Sequence, residues 1–389
     1  MVFHSIIPPY LLEQLERTAD DPSLRARFRQ SLQHDAVLRA RPAAGLARST
    51  AEGGLRREVY DAEHGTDLPG SLVRGEGDAP SQDHPVNQAY DGTGATWTMY
   101  HDCFGRDSVD GTGLVLISTV HYDRGYANAF WDGAQMVFGD GDGVIFGNFT
   151  GSIDVTGHEL THGVTQYTAN LAYQGQSGAL NESISDVFGS LAKQHQLGQT
   201  TEQADWLIGA GLFMPGVRGV ALRSMKAPGT AYDDPRLGKD PQPDHMSGSI
   251  ETEDDNGGVH LNSGIPNRAF YLVAAAIGGN AYDDAGKIWY ATLTSGTLPQ
   301  SADFKAFAAA TQAAARELFG DDSTQLTAVT NAWQTVGVLS EPGQTDPGAS
   351  GQPENAGQTE NALPSDLMHA AQTGLTPSTP PAPPPDPVD

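Results

Sequence analysis

The 389-residue sequence has one cysteine, Cys103. An intrachain disulfide is impossible, and a zinc site built on several thiolates is excluded. Basic residues are scarce: 22 Lys and Arg stand against 48 Asp and Glu, a formal net charge of −26. Nucleic acid and anionic membrane both require basic surface, so neither is expected as a partner. No stretch approaches about 18 consecutive apolar residues, which excludes a transmembrane helix. The N-terminus, Met1 to Pro9, has neither a basic start nor an apolar run of signal-peptide length. The chain therefore reads as leaderless, with export by an unknown route and retention in the cytoplasm both open. The apolar fraction is only 38% beside 46 Gly and 25 Pro. Part of the chain is expected to lie outside any packed core.

What charge there is falls unevenly. Residues 1–57 hold nine Arg and six acids, a net of +3, ahead of a strongly acidic body. The segment has helical stretches at Tyr10–Thr18 and Pro22–Leu38, followed by a small-residue linker, Arg39–Gly54. It reads as a solvated basic tail or as a removable pro-segment attracted to the acidic body. Residues 59–150 read mainly as β, with strands at Thr96–Tyr100, Leu114–Tyr122 and Gln135–Phe138. Gly139–Gly143 reads as a hairpin turn rather than a calcium loop. From Ile153 onward the pattern is helical: Ile153–Ala169, Ala179–Gln196, Gly264–Ile277, Ala281–Thr294, Ala302–Leu318 and Thr324–Val336. The long Asp/Gly/Pro-rich stretch Thr230–Gly258 suggests a functional loop. Ser340–Asp389 has no Lys or Arg, seven acids and 11 prolines. It is expected to be a disordered, PPII-leaning spacer or a docking site for a proline-recognising partner.

The strongest signal is His158-Glu159-Leu160-Thr161-His162. Histidines at i and i+4 of a helix project from one face, so two imidazoles can reach one zinc ion. Glu159 is offset and can face a water in the open coordination position. Glu182 and Asp186 repeat the i, i+4 spacing on the next helix. One carboxylate can bind zinc while the other orients an imidazole. Two histidines, one carboxylate and an open position make a catalytic zinc site. In Asp255-Asn256-Gly257-Gly258-Val259-His260, a loop histidine held by Asp255 can stabilise an oxyanion.

With these motifs, residues 57–339 resemble the thermolysin-like zinc metalloendopeptidases, and most of all the short-propeptide protealysin-type subgroup. The resemblance implies an α+β, two-lobed fold. A mainly β N-terminal lobe with the first zinc helix (58–163) and a mainly α C-terminal lobe (164–339) flank the zinc cleft. It implies one zinc held by His158, His162 and Glu182, with Glu159 as general base and Asp186 supporting His158. Tyr173 and His260 stabilise the oxyanion, and Asp255 holds His260. Asn128 and Ala129 pair with an extended peptide, and Arg223 contacts its carbonyl beside Asn181. Phe146, Val155, Ile208 and Leu222 build an apolar S1′ pocket that favours a bulky apolar residue after the cleaved bond. Pro8-Pro9-Tyr10-Leu11 resembles the short-precursor motif, which supports a propeptide ending between residues 45 and 57. Gly45-Leu46 and Gly54-Leu55 are candidate self-cleavage points. Of the family's paired calcium cluster only Asp154 and Asp205 match. Lys193, Leu207 and Ala210 stand where acids are expected, which speaks against that site.

The expected activity is therefore endopeptidase hydrolysis by a monomeric, secreted, autoprocessed enzyme acting on peptides and proteins. Its own propeptide is the other partner. An aminopeptidase would need an acidic grip on a free amine, and no such motif lines the cleft strand. A non-catalytic binding protein would have no use for intact Glu159, Tyr173 and His260.

Overall fold

The computed structural model describes residues 4–39 and 53–340. The chain opens with a short strand, β1 (His4–Ser5), then helices α1 (Pro9–Thr18) and α2 (Pro22–Arg39). Pro9 stands in the first turn of α1, where its missing N–H costs nothing. Leu11, Leu12 and Leu15 of α1 and Leu24, Phe28 and Leu38 of α2 are buried. At roughly 1.5–3 kcal/mol for each large apolar side chain removed from water, this segment is packed on the body.

Strands β2 (Arg57–Asp61) and β3 (Ser71–Gly75) precede helix α3 (His84–Phe104), and β4 (Leu116–Val120), β5 (Ala129–Trp131) and β6 (Met136–Phe138) follow. They form one sheet in the order β1-β5-β6-β4-β2-β3. β4 runs parallel to β2 and β6, whereas β1–β5, β5–β6 and β2–β3 are antiparallel. The sheet therefore begins with the N-terminal segment on its edge. Thr96–Tyr100, expected as a strand, lies inside α3. The long helix buries Val86, Ala89, Tyr90, Thr93, Thr96, Met99 and Tyr100 at helical spacing. Its threonines turn their hydroxyls back onto carbonyls four residues earlier, Thr93 onto Ala89, Thr96 onto Gly92 and Thr98 onto Gly94. Tertiary burial overrides the β propensity of those side chains. Gly139–Gly143 does turn, with Gly141 and Gly143 at φ 77° and 73°. It leads not to a sheet strand but to an isolated bridge between Phe146 and Phe213.

Helices α4 (Ile153–Gln166) and α5 (Gly175–Leu197) follow. Two short antiparallel pairs come next, β7 (Leu207–Ile208) with β8 (Arg223–Ser224) and β9 (Asp233–Asp234) with β10 (Gly238–Lys239). Helices α6 (Asp255–Asn262), α7 (Gly264–Ile277), α8 (Asp284–Thr294), α9 (Phe304–Phe319) and α10 (Thr324–Thr335) complete the described chain. A single buried cluster runs from Ile6 and Leu12 through Phe188 to Trp289 and Trp333. The core of the linker expected at Arg39–Gly54, residues 40–52, and nearly all of the tail expected at Ser340–Asp389 lie outside the described residues.

Candidate active site

Helix α4 carries His158, Glu159 and His162, and α5 carries Asn181, Glu182, Ser185 and Asp186. Glycine sets how closely these helices cross. A Cβ on Gly157 would lie 2.9 Å from Gly189 Cα, and one on Gly189 would lie 2.4 Å from the Asp154 carbonyl oxygen. Gly178 gives similar clearance to α6, since a Cβ there would meet Val259 at 2.4 Å. Within α6, Asn256, Gly257 and Gly258 take φ of 51°, 81° and 74°, a left-handed turn that brings His260 back toward α5.

The close crossing lets each imidazole be held from behind. His158 Nδ1–H donates to Asp186 Oδ1 at 2.8 Å, and His162 Nδ1–H donates to Asn181 Oδ1 at 2.9 Å, with Ser185 Oγ 3.0 Å away. These bonds orient the rings, so both Nε2 atoms point inward, 3.0 Å apart. Glu182 lies 3.4 Å from His158 Nε2 and 3.6 Å from His162 Nε2. Its Oε2 is buried without a hydrogen-bond partner among the described residues. A proton on one nitrogen can bridge the two imidazoles, but a divalent cation takes both Nε2 atoms and the buried carboxylate oxygen at once. Tetrahedral zinc with bonds of 2.0–2.1 Å spaces its donors about 3.3 Å apart, close to the separations found.

Asp186 is itself clamped. Arg223 donates Nε to its Oδ2 and Nη2 to its Oδ1, both at 2.8 Å, and Asn267 Nδ2 donates at 2.8 Å. Burial alone would raise its pKa, but Arg223 and His158 outweigh burial and hold it at about 2. Glu159 is fully buried, its Oε2 accepting the Trp131 N–H at 2.9 Å and its Oε1 without a hydrogen-bond partner among the described residues. Burial pushes the Glu159 carboxyl well above the ordinary carboxylate range, with His158 opposing. A raised carboxyl suits proton transfer near neutrality.

On the other side, Tyr173 OH donates to Glu182 Oε1 and lies 3.3 Å from His260 Nε2. His260 donates Nδ1–H to Asp255 Oδ1 at 2.7 Å, and its backbone N–H to Asp255 Oδ2 at 2.9 Å. Burial alone would lower the His260 pKa; Asp255 and Glu182 outweigh it and raise it. Gln242, from the long loop, donates to the His260 carbonyl at 2.8 Å.

The cleft strand is paired with the chain's own N-terminus. His4 and Ser5 stand opposite Trp131 and Phe130, and Ile6 N–H donates to the Ala129 carbonyl at 3.1 Å. Asn128 takes the Ile7 N–H at 2.9 Å and donates to its carbonyl at 3.2 Å. Arg223 Nη1 donates to the Ile6 carbonyl at 3.0 Å, and His260 Nε2–H to the Ser5 carbonyl at 3.0 Å. Asn128, Ala129, Arg223 and His260 thus all meet one extended segment, His4–Ile7. The Asn181 amide meets other groups, the His162 ring and the Leu171 carbonyl, the latter at 3.3 Å. Phe146, Val155, Ile208 and Leu222 are buried in the same cluster as Ile6. Sequence reasoning missed Asn267, Ser185 and Gln242, which carry no motif, and His4, a lone histidine far from the others.

Residues 47–166 match the family model described as thermolysin metallopeptidase, catalytic domain, and residues 169–338 match thermolysin metallopeptidase, alpha-helical domain. The chain belongs to the thermolysin metallopeptidase family. It is 52% identical over 336 residues to an extracellular metalloprotease of Pectobacterium carotovorum subsp. carotovorum, covering 86% of this chain and 96% of that one. It is 44% identical over 290 residues to a thermolysin of Alicyclobacillus acidocaldarius subsp. acidocaldarius, covering 72% of this chain and 50% of that one. Among solved structures it resembles the precursor of protealysin, a metalloproteinase from Serratia proteamaculans. The TM-score is 0.81 at 52% identity, over 86% of this chain and 100% of that chain. This thermolysin-family chain is a zinc metalloendopeptidase with the two-lobed α+β fold of its relatives, β-rich first and helical after. Among the described residues no helix is long and apolar enough to cross a membrane.

Proposed function

We propose that the protein is made as a precursor that cuts internal peptide bonds before a bulky apolar residue once its N-terminal segment is released. His158, His162 and Glu182 would hold one zinc ion, which when bound acidifies water and polarises a carbonyl. Glu159 takes the water's proton and returns it to the leaving amine. His260, held by Asp255, and Tyr173 donate to the oxygen that gains charge. Asp186 and Asn181 keep the two imidazoles aimed. The observation that carries this reading is the docking of His4–Ile7. A peptide carbonyl, that of Ser5, rests on His260 beside Glu182, and the next carbonyl, that of Ile6, rests on Arg223. The occupant thus traces the path of a substrate, with Ile6 on the leaving side next to the apolar cluster.

The first 45–57 residues form the propeptide in this reading, and the boundary between the lobes falls between residues 163 and 164, in the last turn of α4. Of the two candidate self-cleavage points, Gly54 donates its N–H to Asp107 at 2.8 Å and Leu55 packs against the core. Gly45-Leu46 lies outside the described residues. Extracellular action on proteins, as a monomer, completes the proposal. Zinc analysis of the purified chain and casein digestion with and without a chelator test it. Stoichiometric zinc and chelator-sensitive digestion are expected, and a zinc-free wild type would overturn the reading. N-terminal sequencing tests self-processing: Glu159→Ala should stay full length without added protease. Digesting a peptide series that varies the residue after the cut tests the specificity, with Leu, Ile and Phe preferred.

A further inference from the structure

We propose that His4 is a fourth metal ligand, so that the precursor is silenced by a histidine that occupies the coordination position water needs. The inference rests on the zinc reading above. His4, His162 and Glu182 each present a ligand atom within 4.8 Å of the others, and all three are buried. His4 Nδ1 is buried with no hydrogen-bond partner among the described residues. A buried imidazole nitrogen left unpaired loses the hydration it had and gains nothing, unless something else fills the role. The β1–β5 pairing brings the ring to the site, where it stacks on His162 at 4.1 Å between centroids and meets the edge of Tyr173 at 4.3 Å.

The register of the segment gives the ligand a purpose. With the Ser5 carbonyl on His260 and the Ile6 carbonyl on Arg223, the Ser5–Ile6 bond stands where a bond would be cut. Displacing the attacking water protects a segment laid down like a substrate inside its own enzyme. The histidine that meets the donor set, His4, stands two residues before Ile6, on the side of the bond that ends in the Ser5 carbonyl. Stacking and ligation exclude each other geometrically, because a bound ion lies in the plane of each ring that holds it. Ligation therefore turns the His4 ring out of the stack about its own side-chain bonds, while β1 keeps its backbone in place.

The test uses the full-length chain carrying Glu159→Gln, so that no variant processes itself, loaded with one equivalent of zinc. X-ray absorption at the zinc edge counts imidazole ligands, and competition with a chelator gives the zinc dissociation constant. Three imidazoles are expected in the parent. His4→Ala and His4→Phe should each show two imidazoles and a lighter oxygen ligand, with zinc bound about tenfold or more weakly. His4→Phe keeps an aromatic ring against His162 and Tyr173, so it separates ligation from docking. A parent with one firmly bound zinc, two imidazoles and no change on His4→Phe overturns the proposal and leaves the zinc site standing. A parent that binds no zinc overturns both.

Discussion

Two clusters of cation-seeking groups lie along the same pair of helices, and they are completed differently. In the first, Asp154 is fully buried, and its Oδ2 accepts from Lys193 Nζ at 3.1 Å. The same ammonium donates to Asp205 at 2.8 and 3.0 Å and reaches the Leu207 carbonyl at 3.4 Å. Its three protons have acceptors, and the carboxylates have their countercharge. In the second, one turn further along α4, the Nε2 atoms of His158 and His162 face each other beside Glu182 Oε2, which has no hydrogen-bond partner among the described residues. The groups at ion-pair distance from that oxygen are the imidazoles of His158 and His260, each at 3.4 Å, and among the described residues no ammonium or guanidinium joins them. A count of acids does not distinguish the two clusters. What does is the kind of cation the chain supplies: a lysine ammonium fills the first cluster, whereas the second holds only imidazoles, which can give up a proton to a metal ion.

The sharpest break of that contrast is to disarm the second cluster. Glu182→Gln and His158→Ala should drop zinc content far below one per chain and abolish casein digestion. Glu159→Gln should keep one zinc, because Glu159 is not a donor, while kcat falls about 10²–10⁴-fold. Zinc lost along with activity would show that Glu159 helps hold the metal. Tyr173→Phe and His260→Ala should each cost about 10²–10³ in kcat with KM little changed. Steady-state kinetics on a blocked peptide would measure both.

How much of this was legible beforehand follows from where each signal is stored. Helices α4 and α5 were readable because His158, His162, Glu182 and Asp186 repeat at i, i+4, so local spacing fixes which face they share. The Lys193 substitution in the acidic cluster was readable as a wrong sign, though not as an ammonium shared among Asp154, Asp205 and Leu207. Helix α3 was misread at Thr96–Tyr100 because its threonines and aromatics look like strand residues until packing partners are known. The occupant of the cleft was hidden for a different reason. His4 pairs with Trp131 through backbone register, which leaves no side-chain pattern at either end. Asn181 was assigned to the substrate, yet its amide faces His162, a choice of rotamer that spacing cannot reveal.

The first cluster can be broken too, with a smaller effect on a different observable. Lys193→Ala leaves Asp154 buried without its cation. Removing one partner of a buried pair costs about 3–5 kcal/mol, and the lower end applies because the Lys193 side chain is 16% exposed. The melting temperature should fall, and millimolar calcium should recover part of it, since the variant offers carboxylates without a resident cation. A melting point that neither falls nor answers to calcium would show that the ammonium is a bystander.

A third buried carboxylate sharpens the comparison because its cation stands further off. Asp35, on α2, is fully buried against the cleft strand, accepting from Tyr126 OH at 2.5 Å and Asn128 Nδ2 at 3.0 Å. The nearest guanidinium, Arg39, is 3.8 Å away. Here the group answers burial by holding its proton: desolvation raises its pKa to about 6, against the opposing hydrogen bonds and Arg39. The sign follows from linkage. Docked Asp35 binds its proton more tightly than undocked Asp35, so the contribution to docking is complete below pH 3.8, the ordinary value. It is lost as pH rises to about 6 and changes little above that. In the full-length Glu159→Gln chain, stability relative to the same chain with Asp35→Asn should therefore decline between about pH 4 and 6, by roughly tenfold to a hundredfold in the equilibrium constant. Asparagine keeps an acceptor for Tyr126 but cannot ionise, so its own curve removes every other titrating group from the comparison. Parallel curves across that window would mean that Asp35 is ionised in both states, with Arg39 doing for it what Lys193 does for Asp154.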